Sequence, residues 1–172
     1  QKELRGRILS VVSHIQIQGA SGALGDWPRV AVQAEKHPAV KAAAPFVQAQ
    51  GMLSFNQNVR GAMVRGVLPD LEDKVADFRP HMKSGSFDAL VPDSFGIVLG
   101  SELARALGVF MGDKVTLIAP RGVVTPAGVV PRLKTFTVVG IFEVGMFEYD
   151  NGLALVAMAD AQKLYRMEDR VS

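Results

Sequence analysis

The stretch from Pro120 to Lys134, PRGVVTPAGVVPRLK, constrains the fold of this chain more than any other. Within Thr125-Pro126-Ala127-Gly128, proline at the second position fixes φ for the first corner of a tight β-turn, and glycine at the fourth relaxes its exit. Val123 and Val124 are then predicted to face Val129 and Val130 across that turn. Pro120 and Pro131 lack the N–H of a sheet ladder, so the hairpin is not expected to continue as ordinary core strands on either side. It reads as a finger with valines along both arms and only Arg121 and Arg132 as charges near its base. Such an apolar surface is unfavourable in water unless something covers it. On the residues alone, the finger either folds back on its own domain or reaches a partner.

The bulk properties narrow the rest. A chain of 172 residues holds one substantial domain or two small ones. Its 48% hydrophobic and 21% charged content is that of a globular protein and excludes disorder. The net charge is +2, with both signs interleaved and no basic block, which argues against a nucleic-acid partner. The absence of cysteine excludes disulfides and thiolate metal sites. There is no run of roughly 18 apolar residues to span a membrane. The opening Gln1-Lys2-Glu3 has neither an initiator methionine nor a signal-peptide pattern, so the chain is expected to be a portion of a larger protein.

Taken in order, Leu4, Ile8, Val11 and Val12 predict an amphipathic helix over residues 2–12, and His14 to Gln18 alternate as a half-buried strand. Gly19 to Gly25 breaks the chain before Asp26, the expected cap of a helix from Trp27 to about Lys36 that His37-Pro38 ends. Pro45 to Phe55 alternates again and, across Asn56-Gln57-Asn58, Val59 to Val67 returns as its partner. The order helix, strand, helix, hairpin predicts an α+β fold. Leu68 to Leu90 reads as one or two short helices, with a subdomain boundary near Val67 to Asp70. Gly96 to Gly100 is a buried strand, Ser101 the cap of a helix Glu102 to Leu107, and Gly108 its stop. Strands follow at Lys114 to Ala119 and Lys134 to Phe142, on either side of the finger. Glu143 to Gly152 reads as a loop, Leu153 to Met158 as a strand, and Asp160 as the cap of a helix Ala161 to Met167.

Few residues suit catalysis. His14, His37 and His81 have no metal-ligand spacing, and Ser84, Ser86 and Ser101 sit in no nucleophile elbow. Asp70, Glu72 and Asp73 fit the start of a helix better than a metal site. Gly19, Gly22 and Gly25 lack the Lys-Ser/Thr of a phosphate loop. No catalytic residue, metal site or cofactor is therefore expected, and a binding or mechanical role becomes the default.

Three segments carry a family likeness: Gly100-Ser101-Glu102-Leu103-Ala104 through Leu107-Gly108-Val109, then Gly112-Asp113-Lys114-Val115-Thr116-Leu117, then Phe136-Thr137-Val138-Val139-Gly140-Ile141-Phe142. With Gly66-Val67-Leu68-Pro69 and Ala159-Asp160-Ala161-Gln162-Lys163-Leu164, they resemble the periplasmic domains of lipoprotein-releasing ABC transporter permeases, the LolC, LolE and LolF group, along essentially the whole chain. The GDxVxL pattern is shared with the wider MacB type. The insertion Thr125-Pro126-Ala127-Gly128-Val129-Val130-Pro131 is more specific and resembles the TPxGxxP hook of LolC-like and LolF-like members.

The resemblance implies a MacB-like periplasmic core at the periplasmic face of the Gram-negative inner membrane. It implies an N-terminal Porter-like part at 1–67 and a Sabre-like part at 68–172 that contains the protruding hook at 120–134. Residues 1–12 would continue a first transmembrane helix, and the returning Porter strands expected after Sabre do not precede Ser172. The hook, Val123, Val124, Thr125, Pro126, Ala127, Gly128, Val129, Val130 and Pro131, would engage the periplasmic carrier LolA, with a basic base from Arg121, Arg132 and Lys134. Thr116 departs from the family pattern, which places an arginine there, and Arg121 is the candidate replacement. Further implied partners are a second permease subunit (a LolC/LolE heterodimer or LolF homodimer), the lipoprotein substrate, and the cytoplasmic ATPase LolD, which would hydrolyse ATP in place of this non-catalytic chain. The alternative is a MacB-like efflux permease domain whose hairpin packs back on the body without binding a carrier.

Overall fold

The structure, a computed structural model, describes residues 25, 27–36, 46–72, 78–125 and 128–165. The helix expected at 2–12, the strand at 14–18 and the hairpin tip Pro126-Ala127 lie outside the described residues. The first helix, α1, spans Trp27–Glu35. The strands β1 (Phe46–Phe55) and β2 (Asn58–Val67) form an antiparallel hairpin in register from Phe46↔Val67 to Phe55↔Asn58. Asn56 takes the left-handed conformation at its turn, φ 54°, which asparagine tolerates better than most residues. The alternation read in β1 holds, with Val47, Gly51 and Leu53 buried and Gln50 and Met52 exposed.

A helical turn α2 (Pro69–Glu72), a 3-10 turn at Arg79–His81, β3 (Met82–Gly85) and a second 3-10 turn at Phe87–Ala89 follow. Then come β4 (Gly96–Gly100), α3 (Ser101–Leu107), β5 (Lys114–Thr125), β6 (Gly128–Phe142), α4 (Phe147–Gly152), β7 (Leu153–Ala157) and α5 (Met158–Tyr165). All seven strands join one sheet in the order β3-β6-β4-β7-β2-β1-β5, and β5 pairs in addition with β6. The pairings therefore run in a closed circuit through β6, β4, β7, β2, β1 and β5, with β3 continuing the free edge of β6 where β5 leaves off. The β2–β7 and β4–β6 pairs are parallel and the others antiparallel, which together with the helices makes the fold α+β.

One core joins Val47, Leu53 and Val64 to Val115, Leu117, Phe136 and Val138, and Leu103 and Leu107 of α3 and Ala161 and Leu164 of α5 also belong to it. A second lies around Phe78, Phe87 and Phe142. There the Phe78 ring stacks on Phe87 at 5.9 Å and meets Phe142 edge-on at 5.5 Å, the offsets that the aromatic quadrupole favours.

Several local expectations are corrected. Ser101 does not cap α3. Gly100 occupies that position, and the Ser101 hydroxyl donates to Glu143 Oε1 at 3.1 Å, tying the helix start to the end of β6. Gly108 does close α3, at φ 77°. Asp160 caps nothing, because α5 begins at Met158, whose buried side chain extends the apolar face already formed by Ala161 and Leu164. The segment read as a loop contains α4, too short to show periodicity but carrying Glu148 and Asp150 in its first turn, where the helix dipole favours acids. Asp150 is buried and accepts from the Val144 and Gly145 amides at 2.8 and 3.0 Å. Met82–Gly85, within the stretch expected to hold one or two short helices, is instead a strand that pairs with the last residues of β6.

Candidate functional site

The hairpin expected to be a separate finger is built by strands that run unbroken through both prolines, which corrects the boundaries at Ala119 and Lys134. The prolines act on the ladder instead. Pairing of β5 with β6 is regular from Lys114↔Thr137 to Ala119↔Arg132, then resumes at Val123↔Val130, Val124↔Val129 and Thr125↔Gly128. Pro120, Arg121 and Gly122 thus stand opposite Pro131 alone, a bulge in which both missing N–H groups are accommodated. The valines face one another as the turn chemistry predicted.

A second ladder ends at the same place. β1 pairs with β5 only at Ser54↔Thr116, Leu53↔Leu117 and Met52↔Ile118. Extending that register would bring Gln50 opposite Pro120, which has no N–H to give. The Gln50 carbonyl accepts instead from the Tyr165 hydroxyl at 3.0 Å. Burial pushes the Tyr165 phenol up to about 12, so it remains a neutral donor throughout the physiological range. Gly51 leaves the room, since a Cβ there would lie 2.9 Å from the Tyr165 hydroxyl oxygen and 2.9 Å from Leu117 Cδ1. Beyond these points β5 and β6 pair with each other and, among the described residues, with no third strand until β4 meets Thr137.

At the base, the structure brings Arg132 to the end of α5 and Lys134 to the Phe95 ring. Arg132 is half-buried and donates from Nη2 to the Lys163 carbonyl at 3.0 Å. Its Nε and Nη1 are buried with no acceptor among the described residues. Lys134 is exposed, with Nζ 4.3 Å from the centre of the Phe95 ring, which in turn meets Phe136 edge-on at 5.5 Å. Leu133 between them is 60% exposed. Thr116 is half-buried in a polar row with Ser54 and Thr135. The side chains of residues 120–131, Arg121 included, lie outside those described.

Phe95 is held by a residue that sequence reasoning assigned elsewhere. Asp93 and Phe95 are both left-handed, at φ 66° and 49°, and their amides donate to the two oxygens of Asp160 at 2.7 and 3.0 Å. The Asp160 side chain is fully buried, and burial raises its pKa, opposed by the Phe95 hydrogen bond and the charge of Lys134. An ion pair between Lys163 and Asp93 clasps the same loop from outside. Asp160→Ala leaves two partly buried amides unpaired and releases two strained residues. We expect a loss of about 2 kcal/mol, measured as a lower melting temperature, with faster amide exchange at Asp93 and Phe95. Unchanged exchange at these amides would contradict the assignment. Nothing local in the sequence pointed to the partners of Asp160, Lys163 or Tyr165.

A cleft of about 360 Å³ lined by His81, Glu102, Glu143, Phe147 and Asp150 lies elsewhere. Its acids are engaged, Glu143 with Ser101 and Lys83, Glu102 with Arg105, and Asp150 with two amides. No group of side chains able to hold a metal ion occurs among the described residues, nor any helix long and apolar enough to cross a membrane.

Comparison with known proteins agrees with this architecture. Over 172 residues the chain is 45% identical to the lipoprotein-releasing system transmembrane protein LolC of Neisseria meningitidis, covering 100% of this chain and 41% of that protein. It is 41% identical to LolC of Xylella fastidiosa over 98% of this chain and 40% of that one. Against LolE of Haemophilus influenzae it is 30% identical, over 69% of this chain and 29% of that protein. The chain thus spans about two fifths of the length of the LolC proteins it matches. The periplasmic region of MacB from Actinobacillus actinomycetemcomitans shares its fold with a TM-score of 0.56 at 16% identity, over 92% of this chain and 64% of that one. The extracellular domain of the transporter YknZ does so at 0.55 and 10%, over 80% and 65%. Residues 2–172 match the MacB-like periplasmic core domain, and the chain belongs to that family.

Proposed function

We propose that this chain is the periplasmic domain of a lipoprotein-releasing permease of the LolC type and that its hairpin, residues 120–134, recruits the carrier LolA for lipoprotein hand-over. The observation that carries the proposal is the pairing pattern. Val123, Val124, Val129 and Val130 sit on a two-stranded extension that the sheet does not cover among the described residues, in a chain 45% identical to a LolC throughout. An apolar ribbon of this kind gains by inserting into an apolar cleft of a partner, and the cations at its base orient the encounter. Lys134 offers an exposed charge for this, whereas Arg132 serves mainly the hairpin's own root. In this proposal the domain works at the periplasmic face of the inner membrane. A second permease subunit and the ATPase LolD join through membrane parts beyond this chain, and the division at residue 67 separates Porter-like from Sabre-like parts.

Val129→Asp tests it. If the hairpin projects as proposed, placing a charge in the interface is expected to weaken LolA binding at least about 10-fold while the melting temperature stays that of the parent. If the hairpin packs back on the body, as in the reading without a carrier, the same substitution buries an unpaired charge and lowers the melting temperature instead.

A further inference from the structure

A ribbon of two strands with no third neighbour has little stiffness of its own and twists freely, so its direction is set by whatever braces its root. Among the described residues, two bonds that brace it come from one place. Tyr165 and Lys163 both lie in the last three residues of α5. Tyr165 reaches β1 through the Gln50 carbonyl, at the register position where the β1–β5 ladder stops. The Lys163 carbonyl accepts from Arg132, the β6 residue in the last regular pair before the bulge. Both strands that flank the point of departure are thus tied to the same helix end.

We propose that Tyr165 and Arg132 are positioning residues, which couple the direction of the hairpin to the C-terminal end of α5. A shift of that helix end is delivered to β1 and β6 together, and the hairpin turns with it. The geometric part is independent of the carrier; its consequence for carrier capture rests on the function proposed above.

The chain contains no cysteine, so spin labels are confined to introduced sites. One label pair, Thr125→Cys with Gln57→Cys, spans from the hairpin to the exposed β1–β2 turn. A second, Gln57→Cys with Glu148→Cys, spans the body alone. Distance distributions are measured by pulsed dipolar spectroscopy in the parent, Tyr165→Phe, Arg132→Gln and Arg132→Lys. Loss of either hydrogen bond, at residue 132 because the shorter glutamine amide falls short of the Lys163 carbonyl, is expected to broaden the Thr125 to Gln57 distribution about twofold and leave the body pair unchanged. Lysine at 132, which keeps more of the reach together with N–H donors, is expected to restore much of the parent width. Unaltered hairpin distributions in both Tyr165→Phe and Arg132→Gln overturn the proposal, as does equal broadening of the body pair, which signifies general loosening. LolA affinity is measured on the same variants without labels. The distances judge the joint, and LolA binding to the parent judges the hook, so the two ideas fail separately.

Discussion

Replacing Pro120–Pro131 by Asn-Gly is expected to abolish LolA binding while leaving the domain folded, with a melting temperature within about 3 °C of the parent. The core supports the second half of that expectation. Among the residues whose burial is described, the buried ones of β5 end at Ala119 and those of β6 begin at Phe136, and all of these are retained. Ala119 and Arg132 are already paired, and Asn-Gly is the two-residue connection whose twist suits an antiparallel pair. A bare deletion leaving Pro120 in the turn would be a poorer test, since proline cannot take the positive φ that such a turn needs. Arg132 is retained, so its bond to Lys163 persists. For the first half, burying four valine side chains in a partner contributes on the order of 6 kcal/mol before the costs of association, about four decades of affinity. A pull-down with purified LolA and a thermal melt are sufficient. Undiminished capture by the shortened chain would sink the proposed function, and a collapsed melting curve would show that the hairpin belongs to the domain's own core.

What could be read in advance, and what could not, divides by range. The β1–β2 hairpin was legible because ten residues of alternation meet a two-residue turn with asparagine in the left-handed position. Gly96–Gly100 was legible as a short apolar run between breakers, and every residue of it is buried. The valine pairing across Thr125–Gly128 followed from turn chemistry alone. Short elements escaped, since the four residues of β3 and the six of α4 are too few to display a period. The prolines were correctly read as ladder breakers but wrongly as strand ends, because a bulge of three residues against one absorbs them without ending either strand.

The root of the hairpin was illegible for a different reason. The bonds Tyr165 to Gln50, Arg132 to Lys163 and Asp160 to Phe95 join residues 115, 31 and 65 positions apart. A polar residue at the start of an amphipathic run is read by default as a helix cap, and Ser101 and Asp160 were both read so. Each turned out to serve a distant element, which only the assembled sheet reveals. Arg132 is the instructive case. Sequence and family pattern mark it as a charge offered to a partner, while the structure has its guanidinium half-buried against the end of α5. Among the described side chains, the cation that remains available at the base is Lys134, resting on the Phe95 ring.

Gly100→Ala is expected to destabilise the domain strongly. Gly100 ends β4 and precedes α3 with φ −61° and ψ 147°, a conformation that alanine adopts freely, so the objection is one of space alone. A Cβ there would stand 2.2 Å from the carbonyl oxygen of Asp150, 2.6 Å from its carbonyl carbon and 2.8 Å from its Cα. All three are backbone atoms of α4 and cannot rotate away. Asp150 cannot withdraw either, because its buried carboxylate holds the Val144 and Gly145 amides. Relief requires α4 to lift from the sheet, giving up the burial of Leu153 and Val144 beside it. Overpacking against backbone is expected to cost about 3 kcal/mol or more, a fall of roughly 6–12 °C in melting temperature for a domain of this size. Gly61→Ala is the matched control. Its Cβ would meet nothing within 4 Å, and restricting the unfolded chain is expected to hold or slightly raise the melting temperature. A Gly100→Ala protein that melts with the parent would mean that α4 does not sit against the end of β4 in solution.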